Sequence, residues 1–397
     1  MWPFRRVFRL GMWIFSGLTL LALPLVVWDF SRRGYAVKYQ AWFIGGIFVI
    51  LSIPISVYEV AMHTEYYTRP RLQRHVIRIL WMVPIYGLDA WFALRFRDAR
   101  EYLDPVRECY EAYVIYNFFA YLMAYLEDEL GDVDAYMATK PPMRHLPPFK
   151  WVLKRWTMGN EFLLECKKGV MNYVILRPVC TTIAFITDAF GVYGQGKFTW
   201  RKSYVYLITV TNFSQLWALY CLAQLYWACH KELGPIRPLS KFMCIKAVVF
   251  LTFWQGVILA ILVSSGVITD ESWSTYDQLG VAAGIQDFLI CIEMFVAALA
   301  HAYAFPPKDY MDPAIPTKGF LHNVKHMFDL RDVVEDMGEV MESHVDTAAR
   351  LPKKAVKTAA KGFKAAVQAP ESLLSLLTAT DDKRGRKGSP GRLLSGG

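Results

Sequence analysis

The 397-residue sequence lacks the motifs that typify a soluble enzyme or a metal site. It contains no HExxH, no GxSxG and no Walker-type phosphate loop. Its seven cysteines include no CxxC pair, and no His/Cys cluster has the spacing of a zinc site. His322 and His326 are four residues apart, but no third ligand accompanies them. We therefore expect no catalytic centre, no metal, no cofactor and no disulfide framework.

Long apolar runs are what the sequence has in abundance. Hydrophobic residues make up 54% of the chain, and they fall into blocks of about 20 residues, the length of helix that crosses a bilayer. Eight such blocks lie at about 10–30, 41–62, 74–96, 107–126, 169–193, 203–229, 241–263 and 279–305. We predict an all-α, polytopic membrane helix bundle whose parts are an N-terminal span and loop (1–40), a seven-helix core (41–305) and a cytoplasmic tail (306–397).

Two features leave alternatives open. The basic start MWPFRRVFR and the apolar run after it are typical of a signal peptide, but no small-x-small cleavage site precedes Asp29, so an uncleaved first helix is favoured. Cys166, in LLECKKG, is a candidate for S-palmitoylation, and a buried thiol is the alternative.

The net charge of +9 lies mainly in loops and in the tail. We interpret it as membrane topology, and we expect no nucleic-acid partner. The loop 264–278 is acidic and has no basic residue, so it is expected outside. The loop 127–169 carries seven Lys and Arg residues and is expected inside, which places the C-terminus in the cytoplasm.

The tail begins with an amphipathic pattern. Apolar residues spaced by three and four predict one stripe on a helix, at positions 327, 330, 334, 337, 341 and 345. The basic stretch 350–364 that follows would bind anionic lipid or pair with the acidic residues of that helix. Residues beyond Ala379 are expected to be disordered.

Polar residues inside the apolar runs form the candidate ligand or transport pocket, because a charge facing lipid at the bilayer centre costs about 2.5 to 3.5 kcal/mol. The candidates are Asp89, Glu111, Asn117, Arg177, Lys246, Gln286, Asp287 and Glu293. Snorkelling or a structural ion pair is the alternative for Glu111, Arg177, Asp188 and Lys246, which lie near span ends. The predicted spans put both bases in the cytoplasmic half and most of the acids in the outer half.

Two further features concern the shape of the helices. Pro84 and Pro178 are candidate hinges, because each removes a helical hydrogen bond. Gln286 and Glu293 are seven residues apart and therefore share one helix face.

Several of these runs resemble the transmembrane protein 184 family, which is related to the alpha subunit of the organic solute transporter. The resemblance rests on YTRPRLQRHVIRILWMVPIYGLDAW, RECYEAYVIYNF, CKKGVMNYVILRP, ELGPIRPLSKFMCIKAVVFLTFWQG and IQDFLICIEMFVAALAH, and the tail segment MFDLRDVVEDMGEV resembles the C-type branch. It implies a seven-helix core and no known enzymatic step. The related transporter subunit moves steroid and bile-acid conjugates with a small single-span partner.

Two functions follow as hypotheses. The first is a transporter or binder of amphipathic organic anions or lipids, in which Arg177 and Lys246 attract the acid group and Trp81, Tyr116, Trp217 and Trp254 line an apolar wall. The second is a receptor-like or trafficking scaffold that acts through its tail. A single-span partner or a homodimer, in the plasma membrane or an endomembrane, is compatible with either.

Overall fold

The computed structural model describes residues 2–145, 149–151, 155–194, 199, 201–265, 278–312 and 319–350, and within these ranges the chain is helical with no β-strand. The helices are α1 (Trp2–Arg33), α2 (Val37–Glu65), α3 (Pro70–Leu80), α4 (Met82–Arg95), α5 (Arg100–Leu130), α6 (Val133–Ala138), α7 (Asn160–Ala189), α8 (Ser203–Ala228), α9 (Pro238–Ser264), α10 (Gln278–Ala304), α11 (Phe320–Met327) and α12 (Arg331–Arg350). The predicted all-α membrane bundle is confirmed.

Seven helical stretches among the described residues are long and apolar enough to cross a membrane. They are Leu10–Arg33, Val37–Glu65, Pro70–Arg95, Asn160–Ala189, Ser203–Ala228, Pro238–Val263 and Gly280–Tyr310. The helix α5 was also predicted as a span, and at 31 residues it is long enough, but its first half carries a series of charged side chains. Those charges distinguish α5 from the seven apolar helices.

The centre of the bundle lies where α2, α4 and α10 pack together. Small residues permit the close approach: a Cβ added at Gly45 would lie 3.4 Å from Cys291 of α10, and one at Gly46 would lie 2.7 Å from Trp91 of α4. The helix α1 packs against α2 and leaves most of its apolar side chains exposed, with Leu21 76% accessible. A peripheral α1 fits the prediction of a separate N-terminal span beside a seven-helix core.

The two candidate hinges differ. Proline cannot donate to the carbonyl four residues before it, and its ring crowds that carbonyl. The helix is interrupted at Trp81, between α3 and α4 and three residues before Pro84. By contrast, α7 continues through Pro178 without interruption.

The tail helix departs from its predicted stripe. It begins at Arg331, after a break that follows α11, and Val333 and Val340 are buried while Val334 and Met341 are more than half exposed. Spacing alone cannot determine which apolar positions turn inward when the chain breaks before the helix.

The described residues form two compact units. The first contains residues up to 183 together with 210–332. The second contains 184–209 and the residues from 333 onward, and in it Ser203 donates to Thr187 Oγ1 at 2.9 Å. The acidic loop residues 266–277, the basic stretch after Arg350 and the end predicted to be disordered lie outside the described residues.

Candidate functional site

The first half of α5 presents its charges on one face. Arg100, Asp104, Arg107, Glu108 and Glu111 are separated by four, three, one and three residues, which keeps them within one arc of an α-helix. We call these five residues the α5 charged stripe. They bring side chains from five neighbouring helices into ion pairs or hydrogen bonds.

Two predicted site residues meet the stripe from α4 and α10. Arg107 donates to Asp89 Oδ2 at 3.1 Å, and Arg100 forms an ion pair with Asp287 and also donates to the Ala283 carbonyl at 2.8 Å. The Asp89 and Asp287 side chains are only 6% and 5% exposed. Both buried carboxylates are thus neutralised by an arginine of α5, as burial of a charge requires.

Three more helices meet the C-terminal part of the stripe, at Glu108 and Glu111. Lys246 Nζ of α9 lies 2.7 Å from Glu111 Oε1, and Gln215 Nε2 of α8 donates to the same oxygen at 2.9 Å. Arg177 of α7 forms an ion pair with Glu108, one turn before Glu111. The Lys246 and Glu111 side chains are only 12% and 13% exposed, so they form a largely desolvated pair inside the bundle.

The predicted separation of bases from acids is wrong for these pairs. The helix α7 begins at Asn160, whereas the predicted span begins at residue 169. Arg177 therefore lies roughly 26 Å along the axis from the start of α7. Direct contact between Lys246 and Glu111 also puts these two groups at one depth. Each base lies in an ion pair with a glutamate of α5.

The remaining predicted carboxylate lies between α9 and α10. Gln255 of α9 donates to Glu293 Oε1, and Gln286 of α10 donates to the Thr252 carbonyl at 3.3 Å. Gln286 and Glu293 therefore both face α9, as their spacing predicts. We call these four residues the α9/α10 seam.

Asn117 of α5 lies in a third group of polar residues, beside His75 and Arg78 of α3. Its Oδ1 lies 3.0 Å from His75 Nδ1 and accepts from Arg78 Nη1 at 3.3 Å. Arg78 is buried, and it donates to both carboxylate oxygens of Asp332, at 2.7 and 3.0 Å. It also donates to the carbonyls of Met327 and Asp329. We call Arg78 and the four residues that accept its hydrogen bonds, Asn117, Met327, Asp329 and Asp332, the tail clamp.

Further bonds fix the tail beside the clamp. Asn323 Nδ2 donates to the Thr64 carbonyl at 2.9 Å, and Thr68 Oγ1 donates to the Tyr310 carbonyl at 2.6 Å. Burial raises the pKa of Asp332, but the hydrogen bond and charge of Arg78 outweigh burial and hold that pKa below its ordinary value. Asp332 is therefore held to Arg78 of α3 by a charge-assisted, bidentate contact.

The other predicted residues are placed as follows. The Cys166 thiol is buried, near Gly169, where an added Cβ would lie 2.3 Å from Cys221 of α8. This burial favours the alternative of a buried thiol over S-palmitoylation. Of the four aromatic residues, Tyr116 is buried and Trp254 is 48% exposed, so they do not form one wall.

Sequence reasoning missed several partners, chiefly Arg78, Arg100, Arg107, Glu108, Gln215, Gln255 and Asp332. The periodic spacing of charges from Arg100 to Glu111 was the available signal for the stripe. No comparable signal exists for Gln215 or Gln255, since a single amide in a span has no sequence pattern.

Membrane-length helices that enclose paired charges define a polytopic helical membrane protein. Residues 41–310 match the family described as organic solute transporter Ostalpha, and the chain belongs to that family. The resemblance predicted from the motifs is confirmed.

Curated relatives cover most of the chain. It is 36% identical to Protein LAZ1 homolog 1 of Arabidopsis thaliana over 332 residues, covering 79% of this chain and 67% of that protein. It is 37% identical to Protein LAZ1 homolog 2 over 281 residues, covering 67% and 68%, and 34% identical to Protein LAZ1 over 335 residues, covering 80% and 68%, both of Arabidopsis thaliana. No solved structure matches the chain.

Proposed function

We propose that the protein binds and moves amphipathic organic anions of the steroid or lipid type, and that Lys246 receives the acid group. The observation that carries the proposal is the buried contact between Lys246 and Glu111, with Gln215 on the same carboxylate oxygen. An anion that displaces Glu111 would satisfy Lys246, while the displaced carboxylate would keep its hydrogen bond from Gln215. Membership of the organic solute transporter Ostalpha family supports the class of solute.

The ion pair sets the mechanism. A free base would hold an anion tightly, whereas a base that already has a carboxylate partner releases it when that partner returns. Glu111 would thus act as the intramolecular competitor for the solute, and the Glu108 pair with Arg177, one turn away, would offer a second exchange point.

Uptake of a radiolabelled sulfated steroid into proteoliposomes tests the proposal. We expect Lys246→Gln to abolish saturable uptake and Glu111→Gln to tighten binding while slowing uptake, because the competitor is gone. Lys241→Gln is the matched control, since Lys241 lies on the same helix and donates to the Ile236 carbonyl. Equal loss in the Lys246 and Lys241 variants, or unchanged uptake in a properly inserted Lys246→Gln protein, would contradict the proposal.

The tail clamp favours a second candidate function, a scaffold that acts through the cytoplasmic tail. Its support is that the tail up to Asp332 is joined to α2 and α3 by specific hydrogen bonds. Truncation after Phe305 distinguishes the two. Loss of cellular function with retained steroid uptake favours the scaffold, and parallel loss of both favours a tail that only supports the bundle.

Topology and assembly complete the proposal. We place the C-terminus in the cytoplasm of a plasma-membrane or endomembrane protein, on the basis of the basic loop 127–169, and a C-terminal tag accessible from outside would contradict this. The largely exposed apolar face of α1 fits a small single-span partner or a second copy. Crosslinking in native membranes, read by mass, distinguishes a monomer from either assembly.

A further inference from the structure

Glu293 differs from the acids of the α5 charged stripe in what it faces. It lies roughly 20 Å along the axis from the start of the span at Gly280 and roughly 16 Å from the end of α10 at Ala304, so it is more than ten residues from either end. Its partner among the described residues is the Gln255 amide, a neutral group. A short acidic side chain at this depth cannot reach the interface, so its charge would be uncompensated.

Two buried acceptor atoms remain after the bond between these residues is counted. Gln255 Nε2 donates to Glu293 Oε1, while Glu293 Oε2 and Gln255 Oε1 are both buried and have no hydrogen-bond partner among the described residues. Both atoms are acceptors when the carboxylate is ionised, so neither can satisfy the other. One proton on Glu293 Oε2 would supply the missing donor to Gln255 Oε1, which closes a two-hydrogen-bond ring between an acid and an amide.

The surroundings of the pair are apolar toward one end of the seam. Leu259 of α9 packs against Val281 of α10, with Leu262, Ala282 and Ile285 around them. This cluster lies between the pair and the helix ends at Ser264 and Gln278. Cys291 and Met294, on the other face of α10, pack against α2 and α4.

The ionisable side chains on α10 and the helices packed against it have other partners or positions. They include Glu59 and His63 of α2, Asp89 of α4, Lys246 of α9, and Asp287 and His301 of α10. Asp89, Lys246 and Asp287 are held in ion pairs with α5, and His63 Nε2 lies 3.0 Å from the Phe305 carbonyl. None of the six forms an ion pair or hydrogen bond with Glu293 in the described part of the chain.

We propose that Glu293 and Gln255 form a proton-binding site, in which Glu293 is a neutral carboxylic acid hydrogen-bonded to the amide. The ligand is a proton: it adds to Glu293 Oε2, and its departure leaves the carboxylate with the single bond from Gln255 Nε2. The site goes beyond the proposed solute pathway and does not depend on it.

Infrared spectroscopy of the full chain in lipid nanodiscs tests the proposal directly. At neutral pH we expect a protonated-carboxyl C=O band that shifts in D₂O, that is lost in Glu293→Gln, and that persists in Glu111→Gln. In Gln255→Leu the band should remain and move to higher frequency, because the acid loses its amide partner. Absence of a band assignable to Glu293 at neutral pH overturns the proposal, as does a band that Gln255→Leu does not move.

Two arms keep the outcome decisive. If Glu293→Gln does not fold, Glu293→Asp and Gln255→Leu still test the proposal, because each should shift the carboxyl C=O band in folded protein. Replacement of sodium by choline should leave the band unchanged, and a band that appears only without sodium would identify a cation site and refute the proton. A protein that shows the band but no steroid uptake would retain the proton site and lose the proposed transport function.

Discussion

The α5 charged stripe and the α9/α10 seam each place a glutamate inside the same bundle, but the two glutamates have different kinds of partner. Glu111 faces the ammonium of Lys246, whereas Glu293 faces the amide of Gln255. The first arrangement keeps a carboxylate charged by pairing it, and the second favours its neutral acid. The partner on the neighbouring helix, rather than depth in the membrane, therefore decides what an intramembrane acid can do.

The largest effect should follow from removing one half of a buried pair in the stripe. Arg100→Met leaves Asp287, only 5% exposed, without its counter-charge, and we expect a loss of about 3–5 kcal/mol in the free energy of unfolding. Thermal unfolding in nanodiscs measures it.

Two variants calibrate that result. Adding Asp287→Asn to Arg100→Met should restore much of the stability, because the orphaned charge disappears. Arg33→Met breaks the exposed pair with Asp29 and should leave the stability almost unchanged, because solvent screens that pair. If Arg33→Met destabilised the protein as much as Arg100→Met, burial would not be what makes the stripe matter.

An intermediate effect is expected at the tail clamp. Asp332→Asn removes a charge-assisted bidentate contact to Arg78, worth about 1.5–3 kcal/mol, and should release the attachment of α11. Hydrogen exchange across Phe320–Met327 would then speed up. Glu335→Gln, an exposed acid on the same helix, is the control, and equal exchange in both variants would show that the clamp does not hold the tail.

Acid should act on a pair outside the membrane. Tyr136 and Lys140 donate to Glu232 Oε1 at 2.5 and 2.9 Å; burial raises the pKa of Glu232, but these bonds outweigh it and hold the pKa at about 2. A depressed folded-state pKa stabilises the protein above the ordinary pKa of 4.5, and that contribution is lost as pH falls from 4.5 toward 2. Glu232→Gln should flatten the stability profile in this window. An identical profile in both proteins would remove the pair as the cause.

The smallest effect concerns the prolines. Pro84→Ala should allow the bond to the Leu80 carbonyl and slow amide exchange around Trp81, with a stability change of about 1 kcal/mol or less. Pro178→Ala, in a helix that is already continuous, should leave local exchange almost unchanged. Similar responses at both sites would mean that Pro84 is no more a hinge than Pro178.

The sequence could predict the bundle because an apolar run of about 20 residues is a local feature of the chain. It also placed Gln286 and Glu293 on one face, which depends only on helix periodicity. The sequence could not predict which charges pair, because the contact between Lys246 and Glu111 joins helices that are far apart in the chain. Arg78 was not recognised as a site residue. The error in the depth of Arg177 came from the start of α7, since helix boundaries depend on polar residues whose pattern is weak.

The same substitution at two positions tests the central contrast most directly. Thermal unfolding of Glu111→Gln and Glu293→Gln should be compared at neutral pH in identical nanodiscs. We predict a loss of about 3–5 kcal/mol for Glu111→Gln, which leaves Lys246 unpaired, and a change within about 1 kcal/mol for Glu293→Gln, where an amide replaces a neutral acid of the same shape. Equal destabilisation by the two substitutions would contradict the distinction between the stripe and the seam.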